Sequence, residues 1–136
     1  MVQTASSAKY GGMSRNVPLK VLFSLTFLAA LAPAAFADDA TIEAVTARAN
    51  GDAWTFSVTL RHGDTGWDDY ADGWRVVTEE GTELGLRTLF HPHVDEQPFT
   101  RSLSGVMIPE DIVRVFVEAR TNTDGWGEAR FTVDLK

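Results

Sequence analysis

The sequence contains no cysteine. That excludes disulfides, a thiol nucleophile and thiolate metal sites, and it leaves no thiol for lipid attachment behind a leader. Lysine is almost missing, with only Lys9, Lys20 and Lys136. Positive charge is in deficit: 12 basic residues face 19 acidic ones, for a formal net charge of −7. A surface of that sign repels nucleic acid and anionic lipid headgroups, so neither is expected as a partner. No apolar run approaches the roughly 20 residues of a membrane span. G-x-S-x-G, H-E-x-x-H and phosphate-loop motifs are also absent. The expectation is a protein without catalytic activity; an enzyme built on loop carboxylates is the weakest alternative. No internal repeat and no helical stripe is found.

What is present begins with a leader. Lys9, Arg15 and Lys20 precede an apolar run at 21–31, followed by Pro33 and then Ala35-Phe36-Ala37. A basic segment, an apolar core, a helix breaker and an A-x-A site, in that order, read as a secretory signal peptide over 1–37. Met13 is an alternative start that keeps every part. Cleavage after Ala37 leaves one domain at 38–136, in the periplasm or secreted, and not membrane-spanning. Removing 37 of 136 residues leaves 99; the leader holds three basic and no acidic residues, so the net charge moves from −7 to −10. Without disulfides, a domain of that size stands on one modest core, or on a core plus a bound ion.

The remainder reads as seven short strands: 41–49, 53–61, 73–78, 83–90, 100–108, 112–120 and 128–135. Trp54, Phe56, Val58 and Leu60 alternate with Thr55, Ser57 and Thr59, the pattern of a half-buried strand. Val113, Val115, Val117 and Ala119 repeat it. Trp54 and Trp74 are assigned to the core. Seven strands in about a hundred residues indicate an all-β, antiparallel sandwich of immunoglobulin or fibronectin III type.

The connections are unequal. Those at 50–52, 79–82 and 109–111 are short turns. Those at 62–72, 91–99 and 121–127 are long and hold every histidine. Successive connections alternate ends in a sandwich, so the three long ones share an end, where such scaffolds place function. Three constellations lie there. His91 and His93, two apart on an extended segment, point to one side; with His62 and Glu96 they suggest a zinc or copper site. The competing reading is a packed loop held by Pro92 and Pro98. Asp64, Asp68, Asp69 and Asp72 offer oxygens to calcium, against a set of Asx turns, which is favoured. Trp67, Tyr70 and Trp126 suit stacking on a sugar or anchoring a protein partner, against closing the open end of the core.

The stretches WDDYADGW at 67–74 and HPHVDEQPFTRSL at 91–103 resemble the signatures of a group of small exported bacterial proteins of unassigned function. The resemblance spans most of the domain. It implies that these two loops characterise the group, and it brings no activity with it.

Overall fold

Alternation is what makes the strands. Phe56, Val58 and Leu60 are completely buried, while Thr55, Ser57 and Thr59 between them are turned outward. The computed structural model describes residues 38–136 together with Gln3, Gly11 and Gly12, so the expected leader at 1–37 lies, those three residues apart, outside the described residues. All elements fall within the unit Ala35–Lys136. They are β1 (Thr41–Asn50), β2 (Ala53–Arg61), β3 (Ala71–Val77), β4 (Glu83–Thr88), β5 (Phe99–Val106), β6 (Arg114–Thr121), β7 (Gly125–Trp126) and β8 (Phe131–Asp134).

The strands form two antiparallel sheets that pack as a sandwich, as the alternation predicts. One has the order β1-β2-β5; the other has β4-β3-β6-β7, with β8 also pairing β6. The fourth strand thus lies beside β3, whereas the immunoglobulin constant arrangement puts it in the sheet of the first two strands. The core between the sheets holds Phe56, Val58, Leu60, Trp74, Val76, Phe99, Val115 and Val117. Trp74 is fully enclosed, as expected, but Trp54 is only half-buried and packs on the rim.

Other departures have local causes. A register shift between Val76 and Val77 makes Leu84 the extra residue of β4. Its side chain reaches the core, while Leu86, paired with the outward Arg75, stays exposed. Val113 precedes β6 and is exposed, because the β5–β6 connection is a crossover between sheets and not a tight turn. The β1–β2 turn is tight: Gly51 takes φ +63°, a region that only glycine enters freely.

The unequal connections have a topological reason. The chain changes sheets between β2 and β3, between β4 and β5, and between β5 and β6. The first two changes lengthen 62–70 and 89–98, which come together. The third runs through 109–111, expected as a short turn, and 121–127, expected as a long connection, is a turn within one sheet that includes β7.

Candidate functional site

Asp64 ties the two crossovers together. Its buried carboxylate accepts from His62 Nδ1 (2.6 Å) and the Ala71 amide (3.0 Å) on Oδ1, and from the His93 amide (2.7 Å) on Oδ2. Gln97 makes a second tie. Its Oε1 accepts from the His62 amide at 3.0 Å, and its Nε2 donates to the His93 carbonyl at 3.0 Å. The long loops therefore converge, and three backbone amides that no strand ladder serves are satisfied by side chains.

His62 is consumed by this arrangement. Nδ1 faces Asp64, and Nε2 lies 2.9 Å from the Asp38 carbonyl oxygen. Both ring nitrogens are thus enclosed by protein oxygens, and neither is open to an ion. Glu96 is likewise engaged: Arg101 grips it with two nitrogens, at 3.3 and 3.1 Å. That hydrogen-bonded guanidinium is the main reason the Glu96 carboxyl sits below its usual pKa. The four-ligand centre suggested by the sequence is thus not assembled, and among the described residues no three His, Asp or Glu side chains group as metal ligands.

His91 and His93 do come together, with ring centroids 4.6 Å apart. His93 is 4 % exposed and stacks flat on Phe99 at 3.8 Å. Neither of its ring nitrogens has a hydrogen-bond partner. Burial, followed by the positive charge of Arg101 and then by His91, pushes its pKa below the ordinary histidine value. His91 is exposed, and its Nδ1 donates to the Pro92 carbonyl at 3.1 Å.

The four aspartates do not converge on a common point. Asp64 is the buried tie, Asp72 accepts from Arg120 Nε at 2.9 Å, and Asp69 accepts from the Thr123 hydroxyl at 3.4 Å. Asp68 is exposed and offers its carbonyl to Asn122. Nor do they form the Asx turns of the alternative reading: apart from His62, the partners of these carboxylates lie 7 to 54 residues away along the chain.

The aromatic set divides. Trp126, on β7, is held against the outer face of its sheet with the Arg75 guanidinium 4.1 Å and that of Arg120 5.3 Å from its ring centroid. It is a cation–π support, not part of an open surface. Trp67 is 66 % exposed and meets Tyr70 edge-on at 5.7 Å. Asn122 fixes their loop: its Nδ2 donates to the Trp67 and Asp68 carbonyls, its Oδ1 accepts from the Tyr70 amide, and its own amide donates to the Tyr70 carbonyl. Phe90 (77 % exposed) and Val94 add apolar surface on the neighbouring crossover. The sequence pattern places Phe90 inside the fourth strand; that strand stops at Thr88, and Leu89 takes the buried position. An aromatic directly before H-P-H was the available signal.

No family model matches the chain. No solved structure matches it. A curated protein of Halomicrobium mukohataei, described as a "Putative lipoprotein", is 44 % identical over 88 residues. The matched stretch covers 65 % of this chain and 43 % of that protein, so the chain spans less than half the length of that relative.

Proposed function

We propose that this is an exported, non-catalytic binding module that takes a neutral glycan at the crossover end of the sandwich. The observation that carries the reading is Trp67: a large aromatic, two-thirds exposed, on a loop whose backbone Asn122 holds in place. The fold gains little from leaving an indole in water. A ligand gains much from one that is already ordered, because no loop entropy is lost on binding. An open indole face suits the apolar face of a sugar ring. The exposed Asp68 and the half-buried Asp69 beside it are acceptors for sugar hydroxyls. The acidic surface disfavours acidic glycans. Export is supported by the leader pattern and by the similarity to a protein described as a "Putative lipoprotein". Among the described residues no helix is long and apolar enough to cross a membrane.

The test is a screen of the purified protein against neutral and acidic oligosaccharides, followed by titration of Trp67→Ala. The expected result is binding of a neutral glycan that weakens at least tenfold in the variant, with the melting temperature unchanged. Failure to bind any glycan, or binding indifferent to Trp67, overturns the glycan reading. Capture of an envelope protein that depends on Trp67 reassigns the surface to a protein partner.

A further inference from the structure

We propose that His91 and His93 form a two-imidazole site for a borderline divalent cation, copper(II) or zinc. Three features of the pair support this, and none depends on Trp67. The first is proximity. Residues two apart on an extended segment have their side chains on one side, and here the rings reach a centroid separation of 4.6 Å. The second is the tautomer of His91. A carbonyl can only accept, so the contact with the Pro92 oxygen puts the proton on Nδ1. The lone pair is then on Nε2, and the hydrogen bond orients the ring as outer partners orient metal-bound histidines. The third is the state of His93. Its ring is buried and stacked on Phe99, yet both nitrogens lack a partner. Leaving such groups unmet costs free energy, and an ion shared with His91 satisfies one of them. Imidazole nitrogen suits zinc and copper, and copper(II) ranks above zinc for such donors. Glu96 is not a ligand, being held by Arg101. The remaining coordination positions go to water.

The experiment is a copper(II) titration of the chelator-stripped protein, read by calorimetry and by electron paramagnetic resonance, with zinc in parallel. The expected result is saturable one-to-one binding with nitrogen splitting from two imidazoles. His91→Ala removes an exposed ring bonded only to its neighbour's carbonyl, so the variant folds; its affinity falls at least tenfold. His93→Gln loses the same affinity. If that variant unfolds, selective broadening of the His91 and His93 ring resonances by copper in the unsubstituted protein is read in its place. Absence of saturable binding overturns the site. So does affinity unchanged in His91→Ala, or broadening centred on His62.

Discussion

At the scale of single residues, Asp64 and His93 carry the most consequence. Asp64 is a buried carboxylate serving one imidazole and two backbone amides. Asp64→Ala strands all three donors and separates the crossovers. Each buried donor left without its acceptor costs about 1–3 kcal/mol. A urea titration is expected to show a loss of that order, against a total stability of roughly 5–15 kcal/mol for such domains. His93 sets a pH dependence. Arg101 and His91 add to burial in disfavouring its charged form, while Glu96 and Asp64 oppose them less strongly. Its folded pKa therefore lies below the unfolded value near 6.5. Unfolding takes up a proton between those two values, so stability is complete above pH 6.5 and declines as the pH falls toward the folded value. Melting curves of ion-free protein are expected to show this decline, and the stability difference between the protein and His93→Gln is expected to shrink over the same interval. A difference that is flat with pH would mean that His93 is not strained by protonation.

At the scale of elements, the sandwich is drawn closed where β4 meets β5. A Cβ added to Gly85 would stand 3.0 Å from Leu103 Cδ2 and 3.0 Å from Val106 Cγ2. These are side chains of the opposite sheet, so the absence of a side chain at Gly85 is what allows the approach. Gly85→Ala is expected to destabilise by about 1–3 kcal/mol through overpacking, measurable as a lower urea midpoint with an unchanged slope. The outer face of the second sheet is reinforced differently. Glu118 receives Arg75 and Arg130, and Trp126 lies against Arg75 and Arg120. This network explains how a glutamate that alternation turns outward is nonetheless buried: long cationic side chains cover it.

At the scale of the whole molecule, a domain without disulfides depends on a single core lined by both sheets. The chain's formal net charge of −7 disfavours the approach of acidic ligands. Material recovered from outside the cytoplasm is expected to begin at Asp38, since Ala35-Phe36-Ala37 is the small-residue site that follows the apolar run. N-terminal sequencing that starts elsewhere would displace the boundary.

Much of the fold was legible in the chain alone, because strand burial has a period of two and both sheets obey it over β2 and β6. The all-β class and the inward set from Phe56 to Leu60 follow from that periodicity, whereas which connections cross between the sheets does not. The roles within the loops were not legible. His62, Asp64 and Asp72 have the side chains of metal ligands, yet each is spent on a hydrogen bond whose partner lies on another segment. Trp67 and Trp126 end similar segments, Asp64-Thr65-Gly66-Trp67 and Thr123-Asp124-Gly125-Trp126, but one is left open and the other is pinned by arginines of β3 and β6. The sequence determines which side chains can bond, stack or ligate. Only the tertiary structure decides which of them already have a partner, because those partners are brought together by sheet pairing and crossovers that join residues distant along the chain.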